Sequence, residues 1–521
     1  MKNKFNKFLN SNVYYIILLI VSIILPTMFL SMRLGWLFID GAIFNGFCLS
    51  FNIILAISSI FSIVLIFLKD EFIKKDKQKL GLKLYRISFG LTIFFSIIVL
   101  INLFYNVTCI ATYWYYYIKA LPYILPIILA LVCLYVVPKF KDRAKSIVSF
   151  VLIVVVVVTS VLFATKATVF KFEAMPSVYD LGNEYYSVIF ATSHNSAGYI
   201  EYEKNGELVR QYDSVAGGIR SNDKVHSFLV EKDNLQNNSY KVGATRIIEH
   251  LGNSVSSGKS IESQLINFKG VPSDNMEIGI LTDVHEKKDY ALKAFSYCGS
   301  DFDGVILLGD LANMYNSQET FIQYVLDLSA KATNGEIPIF YARGNHDTRS
   351  AYASEMYKYM PISTGAYYYG FDFGSMSALV VDVAEDKVDT HIEYGGLANY
   401  EPYRDTEEEW LKAFDFNNSE NIKHKIVISH IGNLENVFGR DWSTIISEKS
   451  PELLLCGHKH NTKYFEIGSD SQSMYYPTFL AGGINASNSK FVASKLVFED
   501  NNLDIYSYNE KGDLVFSKKV S

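Results

Sequence analysis

The second half of this 521-residue chain repeats one pattern that few architectures accommodate, a short apolar run closed by a polar tip. The runs are Ile278 to Leu281, Gly304 to Leu308, Ile337 to Tyr341, Ile426 to Ile428 and Leu453 to Cys456. The tips that follow them are DVH at 283–285, GD at 309–310, GNHD at 344–347, SH at 429–430 and GHKH at 457–460. Runs so short and so uniformly apolar are expected of strands buried on both faces. Helical patterns at about 288–299 and 318–332 separate the first three, which predicts parallel crossover units. Open α/β sheets gather their chemistry at the carboxyl ends of strands, where all five tips fall. Residues two apart in extended chain project to one side, so Asp283 with His285, and His458 with His460, are each expected to aim at one point.

The side chains in these tips form a donor set of two Asp, one Asn and four imidazoles, with no thiolate. Such a set suits hard or borderline divalent ions, of which Mn, Fe and Zn are the candidates. The five cysteines (Cys48, Cys109, Cys133, Cys298, Cys456) show no paired spacing, which argues against a closed structural zinc site. Taken singly, His430 reads as a hydrogen-bonded histidine, and GD or GNHD as turn chemistry. Five of the ten histidines fall inside the tips, and that conjunction points to a site. His194, His226, His250 and His424 read as structural or solvated.

The motif order DxH, GD, GNHD, a lone His and GHxH resembles that of the calcineurin-like metallophosphoesterase superfamily. The resemblance covers about residues 275–521 and implies an α/β/β/α layered domain over 271–521. It implies two divalent ions, one held by Asp283, His285 and His460 and the other by Asn345, His430 and His458, with Asp310 bridging them. His346 resembles the family's non-ligand catalytic histidine, which protonates the leaving oxygen or steadies the transferring phosphoryl group; Asp347 is placed to orient it. The implied activity is hydrolysis of a phosphate mono- or diester by metal-activated water, with an imidazole as the proton donor that titrates nearest neutrality. One departure narrows the family. The purple acid phosphatases have a tyrosine three positions after the bridging aspartate, and Asn313 stands there, with Tyr315 two residues further on. His285, which those enzymes lack, is present, so an iron–tyrosinate site is not expected.

The first third of the chain reads as a different material. Apolar stretches at about 13–31, 43–68, 88–107, 120–138 and 147–165 each have the roughly 20 residues a membrane helix needs. They predict an α-helical transmembrane bundle of five spans over 1–165. The loops at 69–86 and 139–146 carry seven and four basic residues, while the alternate loops hold Arg33 and Lys119. The positive-inside bias then sets the N-terminus in the cytoplasm and the catalytic domain outside a cell membrane. The spans contain almost no ionisable groups, which favours an anchor over a transporter.

Between the two parts, alternating patterns over 166–270 predict a small β-sandwich that resembles the fibronectin-III-like domain ahead of purple-acid-phosphatase-type enzymes, or a spacer. Strand signals at about 476–481, 491–498, 502–507 and 513–518 are expected in the second sheet of the layered domain. Residues 385–404, with His391, Tyr394, Tyr400, Tyr403 and Arg404, are expected as a loop rimming the substrate pocket. Residues 1–165 balance at +11 and the remainder at −17, giving the −6 of the whole chain. An acidic catalytic part repels nucleic-acid polymers, so the expected partners are the bilayer and a phosphate-ester substrate, soluble or linked to lipid or envelope. Two other readings stand beside this one. They are a non-catalytic exterior domain that binds metal and a partner, and an accessory hydrolase of a lipid or cell-envelope transporter. The complete ligand set with His346 weighs against the first, and the uncharged spans against the second.

Overall fold

The five apolar runs form the strands Met276–Leu281, Gly304–Leu307, Pro338–Tyr341, His424–Ile428 and Leu453–Cys456. The computed structural model describes residues 169–520 apart from 214–216, 251–253, 273–274, 361–365 and 470–474. The first three of these strands lie side by side and parallel, with Ile278 opposite Gly304 and Ile339 opposite Val305. The other two belong to a second sheet, again parallel, between Met376–Val380 and Thr478–Ala481. Alternation along each strand explains why the runs are apolar throughout. Ile278, Ile280, Ile306, Leu308 and Phe340 meet Ile426, Ile428, Leu453 and Leu455 in the core between the sheets. The intervening Val305, Leu307 and Ile339 pack against Ala291, Ala294 and Phe295 of the helix Lys288–Cys298. On the far side, Val427 and Leu454 pack with Leu411, Trp442 and Ile446. Helices thus cover the outer face of each sheet, and the two sheets cover each other.

Several expectations are corrected. The five-span helical bundle is one. The described chain is mostly strand, and no helix among the described residues is long and apolar enough to cross a membrane. The longest there, Tyr400–Ala413, has 14 residues; at about 1.5 Å per residue it falls well short of a hydrocarbon core of about 30 Å. The multi-pass membrane placement, with its exterior catalytic domain, is therefore withdrawn; the five apolar stretches lie outside the described residues.

The separate β-sandwich is another. Phe172–Asp180 pairs in parallel with Pro338–Tyr341, Val178 opposite Pro338, so the strands of 170–270 continue the first sheet. Their own core of Val188, Phe190, Ile200, Phe228 and Val242 is built around the 20-residue strand Tyr185–Lys204. Phe170–Ser521 makes one compact unit. Of the four C-terminal strands, Thr478–Ala481 lies in the second sheet as expected, and the other three sit elsewhere. Phe491–Glu499 pairs antiparallel with Met276–Leu281, and Asn502–Asn509 and Leu514–Lys519 follow it outward, all in the first sheet.

Candidate metal centre

Each strand that carries a motif ends before the motif does, and the chain then turns sharply. Asp283, His285, Asp310, His458 and His460 all have positive φ, between 43° and 67°. The extended backbone expected for the DVH and GHKH pairs is thus replaced by left-handed turns. Such residues cost roughly 1–3 kcal/mol each, and a fully buried Leu or Ile in the preceding strand contributes about 1.5–3 kcal/mol, enough to offset one of them. The turns are tight because glycine permits it. A Cβ on Gly344 would collide with Asp310, so the GD and GNHD turns nest only without one.

These turns bring all seven predicted ligands into one cluster. His460 Nε2 lies 3.2 Å from Asp283 Oδ1 and 3.2 Å from His285 Nε2. His430 Nε2 lies 3.2 Å from Asp310 Oδ2, and His458 Nδ1 lies 3.0 Å from Asn345 Oδ1. Asp310 stands between the two groups, with His285 Nε2 3.7 Å away on the other side. The GHKH pair does not aim at one point: His460 joins the Asp283 group and His458 the Asp310 group.

The residues fit a cation on three counts. Asp283 Oδ1 is buried without a hydrogen-bond partner, although three imidazole nitrogens lie within about 4 Å of it. A buried carboxylate oxygen left so is costly unless a charge compensates it. The imidazoles are also held from behind, as ligating histidines are. His430 Nδ1 donates to Leu308 O at 2.6 Å and His285 Nδ1 to Asn313 Oδ1 at 3.1 Å, leaving each Nε2 free to face inward. His458 presents Nδ1 inward while its Nε2 faces Asp386 Oδ2 at 3.8 Å. Finally, the charges are strongly polarised. Burial opposes the charge of Asp310, but the imidazoles of His430, His346 and His285 hold its carboxyl well below the usual range. Burial likewise opposes protonation of His430, but Asp310 and Asp283 outweigh it and hold the imidazole up at about 10. Burial and the His430 charge push His458 down to about 4.

His346 and Asp347 part company. The His346 ring stands edge-on to His285 at 4.7 Å between centroids, with Nδ1 donating to Asn313 O at 2.7 Å. Its backbone N–H donates to Asp310 Oδ1 at 2.8 Å. Asp347 does not orient it. Its carboxylate turns away and accepts from the N–H of Asp310 (3.2 Å), the N–H of Gly344 (2.9 Å), Tyr315 Oη (2.8 Å) and Tyr341 Oη (2.9 Å). Burial pushes both phenols well above their ordinary value, so they remain donors. Asp347 therefore fixes the turn that carries Asp310.

Sequence reasoning missed Arg349, which lies behind this loop. Arg349, nine-tenths buried, grips Glu385 through two bonds of 2.8 and 2.9 Å and reaches His346 Nε2 at 3.3 Å. The expected loop 385–404 ends at Asn399, because Tyr400 begins a helix. From that helix, fully buried Arg404 donates to Val383 O and Glu385 O, and Tyr403 Oη donates to Asp382 at 2.6 Å. The only sequence signal of Arg349 was its place two residues after GNHD.

Residues 276–462 match the sequence model of the calcineurin-like phosphoesterases. No curated protein matches the chain. Among solved structures the chain is similar to PhoD, at 12% identity and a TM-score of 0.46, over 68% of this chain and 93% of that one. It is also similar to a predicted phosphoesterase of Streptococcus pneumoniae TIGR4 (13%, TM-score 0.25, 47% and 97%). A third likeness is to vacuolar protein sorting 29 of Cryptosporidium parvum (13%, TM-score 0.24, 47% and 97%). The family match, together with the complete motif set, identifies the domain: this chain carries a calcineurin-like phosphoesterase domain and is a metal-dependent phosphoesterase.

Proposed function

We propose that the domain binds two divalent ions and hydrolyses a phosphate mono- or diester. Asp283, His285 and His460 hold one ion, Asn345, His430 and His458 the other, and Asp310 lies between them. Mn, Fe and Zn all suit this oxygen and imidazole set. The observation that carries the reading is the partnerless, buried Asp283 Oδ1 facing three imidazoles, an arrangement that a cation relieves. When bound, a pair of such ions polarises phosphoryl oxygens and lowers the pKa of water from about 15.7 towards neutrality.

The chain's own residues do the remaining work. Asn313 pins two imidazoles, His285 through its side chain and His346 through its carbonyl. With Nδ1 committed to that carbonyl, Nε2 is the nitrogen of His346 left to face a substrate, and Arg349 Nη1 lies 3.3 Å from it. In its protonated form that nitrogen can donate to a leaving oxygen, which is the family's acid role. Asp347, with Tyr315 and Tyr341, keeps the Asp310 turn in place while charge shifts around it. The substrate expected is a phosphate ester small enough to reach the half-buried His346.

The test is His458→Asn in the purified chain. It should lower the affinity for one of two ions by more than the roughly 10–100-fold that losing an outer-shell partner brings, with most turnover of an aryl phosphate ester lost. Unchanged ion content and turnover would refute the assignment.

A further inference from the structure

Arg349 stands where nothing in the family's motif set places a function. Its guanidinium is fixed by Glu385, with Nε 2.8 Å from Oε2 and Nη2 2.9 Å from Oε1. Beside it lies the amide of Asn345, itself buried, and the two ways of setting that amide differ in what its oxygen faces. With Oδ1 towards His458 Nδ1 at 3.0 Å, oxygen and imidazole nitrogen converge on the place of the second ion, and the amide nitrogen faces only donors. Turned over, the nitrogen donates to His458 Nδ1 at 3.0 Å and Asp310 Oδ2 at 3.3 Å, while the oxygen accepts from Arg349 Nη2 at 2.9 Å. The second setting satisfies every partner in the metal-free chain. The first is the one an asparagine ligand requires.

We propose that Arg349 and the second divalent ion compete for the amide oxygen of Asn345, so that Arg349 is a positioning residue setting how tightly that ion is held. The inference rests on Asn345 being a ligand of that ion, as proposed above. A guanidinium bond to an amide oxygen is charge-assisted and short, and Glu385 prevents the guanidinium from swinging aside. Taking up the ion therefore requires giving up that bond. The share of that penalty due to Arg349 falls on the second ion, because the polar contacts of Arg349 include none with Asp283, His285 or His460.

The sign of the effect tests it. The purified full-length chain is stripped with chelator and titrated with Mn2+ by calorimetry, with bound Mn2+ counted by elemental analysis. Arg349→Lys keeps the charge, but the lysine nitrogen ends one atom short of Nη2, the atom that reaches the amide. The second Mn2+ should then bind about tenfold more tightly or better, as for loss of one charge-assisted bond, and the first should bind as before. In an Asn345→Asp background, where both side-chain oxygens are alike and nothing needs to turn over, the same change should bring no such gain. Equal gains in both backgrounds, or a second step left unchanged or weakened by Arg349→Lys, would overturn the proposal. Arg349→Met replaces Arg349→Lys if circular dichroism shows the latter misfolded. A wild-type chain that takes up one Mn2+ overturns the two-ion reading and this inference with it. A second Mn2+ that binds but is indifferent to residue 349 overturns this inference alone.

Discussion

At the scale of single residues, identity and position made different things visible. The clustering of Asp283, His285, Asp310, Asn345, His430, His458 and His460 was legible because metal chemistry restricts which residue types would serve a cation. Their geometry was not. Nothing in a sequence window announces that five of the seven adopt left-handed backbone, which only the surrounding packing imposes. Arg349 escaped notice, and Glu385 and Asp386 were read only as the start of a loop, because charged residues are common and only the fold brings these three behind His346 and His458. The neighbours His346 and Asp347 are expected to separate experimentally. His346→Ala should reduce turnover by roughly 10²–10⁴-fold on esters with poor leaving groups and much less on activated ones. Asp347→Asn strands at least one of four buried donors. It should lower unfolding free energy in urea by about 1–3 kcal/mol while leaving the dependence on leaving group as in the wild type. A flattened dependence in Asp347→Asn would restore the orienting role that the geometry removes.

At the scale of elements, the strands beneath the motifs were readable because burial on both faces writes itself as an unbroken apolar run. The expected Ile278 to Leu281 lies within the observed Met276–Leu281, and the expected helix at 288–299 became Lys288–Cys298. Partners of strands were not readable. Phe491–Glu499 was assigned to the second sheet, yet it lies against Met276–Leu281 in the first, since pairing across 200 residues leaves no local mark. The same holds for Phe172–Asp180, whose parallel pairing with the GNHD strand turned an expected separate sandwich into a continuation of the sheet. Tyr240 Oη reaching Gly335 O at 2.8 Å and Tyr179 Oη meeting Ser329 Oγ at 2.7 Å tie the two regions further. A fragment of 170–521 should accordingly unfold in urea as one transition, and 271–521 alone should fail to give a cooperative unfolding curve, because it bares the edge of Pro338–Tyr341. Two separate transitions in 170–521 would show that the seam is incidental.

At the scale of the whole molecule, the metal centre is also an electrostatic knot whose balance depends on pH. In the metal-free chain His430 is held up at about 10, against about 6.5 when unfolded. Its contribution to stability is therefore fully present below about pH 6.5 and is lost as pH rises through 10. His458, pushed down to about 4, contributes in the opposite sense, present above about pH 6.5 and lost as pH falls through 4. Ligands must shed protons to bind a cation, so excess metal stabilises more as pH rises. Melting temperatures of the chelated chain should fall between pH 7 and 10, and added Mn2+ should abolish that fall. A chelated chain whose melting temperature stays level over this range would contradict the His430 environment described here.

The shared sheet has a mechanical corollary. Phe172–Asp180 runs parallel to the strand that delivers Asn345, and its register is pinned at Val178 and Tyr179. Tension drawn along the chain at residue 170 loads that ladder in shear, and the adjoining strand ends four residues before Asn345. A tug too weak to unfold anything would still arrive, as strain, at the loop proposed to grip an ion.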